Sequence, residues 1–205
     1  IYTEGITEIE ASDIQFAKEY GYAIKLLAIA KRSGKSVELR VHPTLIPAKH
    51  LLASVGGVYN AIFVKGDLVG ENLFYGQGAG AAPTSSAVVS DIVSIAKSFT
   101  DDYKSPDRMP LGRDAERVKE MTDVKIRYYV RFSALDKPGV LAKISGILAK
   151  YDISIASVTQ LQRKHTSGVP IIMMTHEALE RDMMKALKEI DALKVIKKKS
   201  VRIRV

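Results

Sequence analysis

Two short segments of this chain carry residue types that could do chemistry. The first is Tyr75-Gly76-Gln77-Gly78-Ala79-Gly80-Ala81-Ala82-Pro83-Thr84, which joins a strand-like run to a helix-like run. Backbone poor in side chains at a helix start can present N–H groups to a phosphate or a carboxylate. The dinucleotide fingerprint is not met, because a third glycine is needed at position 81 or 83 and these are Ala81 and Pro83. A tight connection packed through small residues also explains the same letters. The second segment is Asp136-Lys137-Pro138-Gly139-Val140-Leu141, just ahead of a helical run. Free N–H groups at that helix start would favour a carboxylate ligand. Asp136 helping to cap the helix, with no ligand, is the alternative.

Other chemistries are excluded by what is missing. The chain has no cysteine, which removes disulfides, thiolate metal sites and thiol nucleophiles together. His42, His50, His165 and His176 form neither an HxxxH nor an HExxH spacing, so no metal site is expected. Ser85 and Ser86 are not in a nucleophile-elbow setting. Lys197, Lys198 and Lys199 read as a solvated run.

The elements that position these segments follow from periodicity. A helix is expected over 12–31, with Ser12 as N-cap, an apolar stripe at Ile14, Ala17, Tyr20, Ile24 and Leu27, and an exit at Gly34. Residues 37–46 alternate as a strand up to Pro43. A hairpin follows, with strands 59–65 and 68–75 around Lys65-Gly66-Asp67. Residues 77–86 read as a small-residue loop and 87–99 as a helix. Residues 100–123 are polar with two prolines and room for a short helix at 114–121, which makes them the linker candidate. Beyond them, Ile126, Tyr128, Val130 and Phe132 alternate on one strand face. Pro138 opens a helix, strands 153–162 and 169–176 flank the turn-like Arg163–Gly168, a second helix covers 178–190, and a strand closes 195–205. This βαββαβ order is the ferredoxin-like plan: an antiparallel four-stranded sheet with two helices on one face.

At 205 residues the chain has room for one or two domains. Its charge is uneven. Residues 1–124 hold 14 basic and 16 acidic side chains, and residues 125–205 hold 17 and 7, so the formal +8 belongs to the C-terminal third. A basic domain invites a nucleic-acid reading. However, Arg127, Arg131, Arg202 and Arg204 alternate with apolar residues as a solvated strand face would, and no zinc-finger or helix-turn-helix pattern is present. No nucleic-acid partner is expected. No transmembrane stretch or signal peptide is visible, so a cytoplasmic protein without a membrane partner is expected. The first residue is Ile1 rather than methionine, which is expected of a piece of a longer chain.

EGITEIEASDIQFAKEYGYAIKLLAIA, VHPTLIPAKHLLASVGGVYNAIFVKGD and FYGQGAGAAPTSSAVVSDI, in this order, closely resemble the later part of bacterial homoserine dehydrogenases. DKPGVLAKISGILAKYDISIASVTQ resembles the opening of an ACT domain. The resemblance implies an α+β chain in three parts. Residues 1–100 are the C-terminal part of the catalytic and dimerisation domain, a mixed sheet with helices; 101–124 are a linker; 125–205 are a ferredoxin-like ACT regulatory domain.

The parent activity it implies is the NAD- or NADP-dependent interconversion of L-aspartate 4-semialdehyde and L-homoserine, on the route to threonine, methionine and isoleucine. It implies a cofactor site using Gly78 or Gly80, with Ala79, Pro83 and Thr84 beside it. The family's Rossmann domain and its Asp-x3-Lys pair, whose lysine donates a proton to the substrate carbonyl, are absent: no Asp here has a Lys four residues on. Lys25 reads instead as a stem packed on a helix with its ammonium exposed. These 205 residues alone are therefore expected to be inactive, with no catalytic residue among them. A non-catalytic module that binds an amino acid and dimerises is the alternative function.

For the ACT part, the resemblance implies side-by-side pairing with a small amino acid at the paired edges. Gly139 and Val140 would receive its carboxylate near Asp136, with Gly139 sparing the ligand a crowding side chain. Ser157, Thr159 and Gln160 would be polar partners. Threonine is the first candidate effector, then methionine or isoleucine. A homodimer or larger assembly is expected through the hairpin at 59–75 and the strand at 37–42, whose edges would otherwise lie open.

Overall fold

The computed structural model describes residues 1–99, 117–160 and 169–205. The expected turn at Arg163–Gly168, His165 within it, and residues 100–116 of the expected linker lie outside the described residues. In chain order the elements are β1 (Tyr2–Thr3), α1 (Ala11–Glu19), β2 (Tyr22–Ser33), β3 (Ser36–Pro47), β4 (Tyr59–Gly66), β5 (Gly70–Gln77), α2 (Ala81–Ser98), β6 (Arg117–Val118) and β7 (Lys125–Ile126). They continue with β8 (Tyr128–Ala134), α3 (Val140–Lys150), β9 (Ile155–Gln160), β10 (Val169–Thr175), β11 (Ala178–Leu179), α4 (Glu180–Asp191) and β12 (Ile196–Arg204). Two compact units result: Ile1–Ala48 with Glu116–Val205, and Lys49–Ala115. They cut across the segments 1–100, 101–124 and 125–205, because residues 1–48 cluster with the C-terminal third.

In the larger unit, β8, α3, β9, β10, α4 and β12 form the expected βαββαβ module, with antiparallel sheet order β12-β8-β10-β9. Ile126, Tyr128, Val130 and Phe132 lie in one core with Ile144, Leu148, Met183 and Ile190 from the two helices. This is the alternation the sequence predicts. The helix expected from Pro138 starts two residues later, at Val140, with Pro138 and Gly139 in a turn.

The sheet does not stop at β12. Arg204 pairs in parallel with Thr44 of β3, and β3 pairs along its whole length with β2. β1 and β6 run parallel to β3, at Tyr2 opposite Arg40 and Ser36 opposite Arg117. β3 is thus an interior strand, not the open edge expected of residues 37–42, and it runs through Pro43 to Pro47. The single helix expected over 12–31 is also corrected. α1 ends at Glu19, the Gly21 N–H bonds the Lys18 carbonyl, and Tyr22 begins the strand. The helical spacing of Ile24 and Leu27 is a coincidence that tertiary pairing overrides. Lys25 accordingly sits on a strand, opposite Thr44, and Gly34 belongs to the two-residue turn of the β2–β3 hairpin rather than to a helix exit. Residues 117–123, expected as linker or short helix, instead form β6 and a 3-10 turn at Met121–Asp123.

The second face of the module's sheet is not solvent either. A smaller core there joins Tyr129, Ile172, Met174 and Ile203 to Ala17 of α1 and Leu45 of β3. The smaller unit consists of a 3-10 turn at Leu51–Ser54, the β4–β5 hairpin in full register from Tyr59–Gln77 to Gly66–Gly70, and α2. The helix expected over 87–99 begins six residues earlier, so the small-residue loop shrinks to about Gln77–Gly80. No residue of α2 is buried; Val89 and Ile92 are exposed, as are Ile62 and Phe74 of the hairpin.

Candidate functional site

In the smaller unit the glycine-rich segment is anchored by its own backbone. The N–H groups of Gly78 and Ala79 both donate to the Val58 carbonyl, at 2.8 and 3.3 Å, so neither is available to a ligand. A Cβ at Gly78 would lie 1.6 Å from Nδ2 of Asn60, which gives this glycine a packing reason. Gly80 differs. It is the N-cap of α2 with φ of 120°, a conformation that side chains disfavour, and it accepts the first intrahelical bond from Thr84 at 3.1 Å. Pro83 sits in the first turn, where its missing N–H costs nothing. The amides of Ala81 and Ala82 have no intrahelical acceptor, and both residues are exposed. The start of α2 thus suits a phosphate or a planar ring that must approach bare backbone, whereas the stretch before Gly80 is structural.

In the larger unit a cleft of about 470 Å³ is lined by Asp136, Gly139, Val140 and Gln160, with Leu141 and Ile171 among its apolar walls. Four of the six expected effector residues therefore meet. The other two do not. Gln160 is opposite Ile171, on the helix-bearing face, whereas Ser157 and Thr159 are opposite Met174 and Ile172, on the other face. The strand period of two forces this split, and the Thr159 hydroxyl accepts a hydrogen bond from Tyr20. The Val140 N–H is directed to the Lys137 carbonyl at 3.3 Å, so the donors left at the helix start are those of Leu141 and Ala142. Gly139, not Asp136, is the N-cap, at φ 83°. A Cβ at Gly139 would meet nothing within 4 Å, so backbone conformation rather than crowding demands glycine there.

Two buried ionic clusters were missed by the sequence reading. Arg131 and Arg204, expected on a solvated face, are both buried. Arg131 donates from Nε and Nη2 to Asp13 at 2.7 and 3.0 Å, and the Tyr129 hydroxyl adds a third bond at 2.9 Å. Arg204 donates from Nε to Glu180 at 3.0 Å, from Nη1 to Glu4 at 2.9 Å and from Nη2 to the Tyr2 hydroxyl at 2.8 Å. Tyr128 donates to Glu180 at 2.7 Å. Burial and the neighbouring carboxylates push the Tyr128 and Tyr129 phenols up. Burial alone would raise the Glu4 carboxyl, but the bond from Tyr2 and the charges of Arg204 and Arg202 hold it below the usual range.

His42, beside Tyr2, is buried with no partner on Nε2 among the described residues, and desolvation lowers its pKa to about 4. No sequence signal marks the two ionic clusters, since the partners lie between 24 and 202 positions apart. Among the described residues no group of His, Asp or Glu could hold a metal ion, and no helix is long and apolar enough to cross a membrane.

Comparison with known proteins gives two family matches along the chain. Residues 1–93 match the homoserine dehydrogenase family and residues 128–195 the ACT domain family. The chain is 41% identical over 208 residues to the homoserine dehydrogenase of Neisseria gonorrhoeae, covering all of this chain and 48% of the relative. It is 44% identical over 199 residues to that of Helicobacter pylori, covering 96% and 46%. The crystal structure of a homoserine dehydrogenase from Thiobacillus denitrificans superposes with a TM-score of 0.79 at 44% identity, over 99% of this chain and 47% of that one. The chain therefore spans about half the length of the relatives it matches. By sequence, by order of segments and by fold, it belongs to the homoserine dehydrogenase family, as a C-terminal region in which a dehydrogenase segment precedes an ACT domain.

Proposed function

We propose that this chain is the C-terminal portion of an enzyme that interconverts L-aspartate 4-semialdehyde and L-homoserine with NAD or NADP, and that its ACT module senses an amino acid. The observation that carries this reading is the likeness to a homoserine dehydrogenase over 99% of the chain, at 44% identity. The nicotinamide cofactor, when bound, supplies the hydride. The chain's own contribution is positional. Gly80, Ala81 and Ala82 offer side-chain-poor backbone at the start of α2, with the Ala81 and Ala82 amides lacking an intrahelical acceptor, and Pro83 and Thr84 fix that first turn. Gly78 and Ala79 hold the loop onto Val58 and support the site from behind. The proton donor to the substrate carbonyl belongs to the rest of the parent chain, since no Asp-x3-Lys pair occurs here.

In the ACT module, the effector's carboxylate would meet the Leu141 and Ala142 amides, with Asp136 and Gln160 at the cleft wall. Threonine remains the first candidate. Ser157 and Thr159 have no direct part in this reading, because they face away from the cleft. The exposed apolar side chains of the hairpin and α2 are where a second copy would pack. Homoserine-dependent reduction of NAD or NADP tests the reading: the parent chain should turn over and the 205-residue chain should not. A parent without activity on either cofactor would refute it.

A further inference from the structure

The two ionic clusters meet β8 from opposite faces. Tyr129 and Arg131 of β8 point to the face covered by α1, where Asp13 is wholly buried. Asp13 also accepts the Glu10 backbone N–H at 2.9 Å, so one carboxylate both caps α1 and neutralises a strand of the ACT module. On the helix-bearing face, Arg204 is opposite Tyr128 of β8 and bridges Glu180, the first residue of α4, to Glu4, just after β1. Its guanidinium lies 4.9 Å from the centre of the Tyr2 ring, and Arg202 adds a second contact to Glu4 at 3.0 Å. Buried charges of this kind cost a great deal when one partner leaves.

We propose that these ion pairs weld residues 1–48 of the dehydrogenase segment to the ACT module, so that the two open, and respond to a ligand, as one cooperative body. The regulatory module then does not hang on a linker. β8 runs from Arg131 straight into the loop that lines the 136–141 cleft, so ordering of that loop reaches Asp13 through a single strand.

Native-state hydrogen exchange on the whole 205-residue chain tests the weld. The slowest amides of β3 should exchange with those of β8 and β10 as one class, within about threefold in opening equilibrium. Asp13→Asn should accelerate both sets by a common factor of about a hundredfold or more. Glu4→Gln, at a partly exposed carboxylate, should do the same to a smaller extent and serves if Asp13→Asn does not fold. Two exchange classes in the unaltered chain, or acceleration confined to α1 and β3 while β8 and β10 stay protected, would overturn the proposal.

Discussion

Asp13 and Arg131 lie 118 positions apart and meet in two bonds, at 2.7 and 3.0 Å, with the carboxylate fully buried. One belongs to the segment that matches homoserine dehydrogenases, the other to the ACT match. Removing the Asp13 charge leaves the buried guanidinium with only the half-exposed Glu10 carboxylate, at 3.5 Å. Asp13→Asn should cost about 3–5 kcal/mol of stability, read from denaturant midpoints. The paired change Asp13→Leu with Arg131→Met should recover most of that loss. A cost below about 1 kcal/mol for the single change would show that the pair is solvated in practice.

His42 gives a pH dependence. Its folded pKa, about 4, is below its ordinary 6.5 because burial disfavours the charged ring. Between these values the unfolded chain binds the extra proton, so stability rises with pH. That stability is complete above about pH 6.5, falls as the pH drops, and is gone below about 4. The amplitude is about 3 kcal/mol. Glu4, also lowered, adds a further loss only below its ordinary range. Urea melts from pH 7 to 4 should show this slope, and His42→Gln should flatten it. An unchanged slope in that variant would place the proton elsewhere.

The two loop glycines should behave differently. Gly80→Ala in the parent enzyme forces a side chain into a φ of 120° at the proposed cofactor contact. It should cost about 1–3 kcal/mol and raise the KM for the nicotinamide cofactor with little change in that for homoserine. Gly78→Ala should act through Asn60, so adding Asn60→Ala should restore stability. Equal cofactor effects from Gly78→Ala with and without Asn60 would give Gly78 a direct role after all.

How much of this was legible depended on whether a property was local. The βαββαβ module could be read because Ile126, Tyr128, Val130 and Phe132 alternate onto a single core. The hairpin at Tyr59–Gln77 could be read from its turn. The strand at Tyr22 could not, since Ile24 and Leu27 fit a helix as well as a strand and only β3 decides between them. Arg131 and Arg204 looked solvated because their counter-ions arrive from Asp13, Glu4 and Glu180, far away in sequence. The split of Gln160 from Ser157 and Thr159 was readable from strand alternation alone.

An effector is best sought on the whole chain. A 125–205 segment would lose the Asp13 and Glu4 partners and expose the apolar face of Tyr129, Ile172 and Ile203 that α1 and β3 cover, so it should melt well below the intact chain. On the 205-residue chain, threonine at a hundredfold excess over its Kd should stabilise by about 2.7 kcal/mol, seen as a rise in Tm. Gly139→Asp, strained at φ 83°, should abolish the rise. No shift with threonine, methionine or isoleucine at millimolar concentration would leave the module without an amino-acid effector among these three.

Self-association should follow from the uncovered side chains of the smaller unit, where Ile62 is 66% and Phe74 63% exposed. Sedimentation velocity at micromolar concentration should give a dimer or larger species, and Phe74→Lys should shift it toward monomer. A monomeric unaltered chain would contradict the proposed packing of a second copy there.

Product identity is the most direct measurement. The parent enzyme, given L-aspartate 4-semialdehyde and NADH or NADPH, should form L-homoserine in amounts equal to the cofactor oxidised, as determined by mass spectrometry and absorbance. The 205-residue chain under the same conditions should form none. Absence of L-homoserine with both cofactors from a folded parent chain would contradict the assignment.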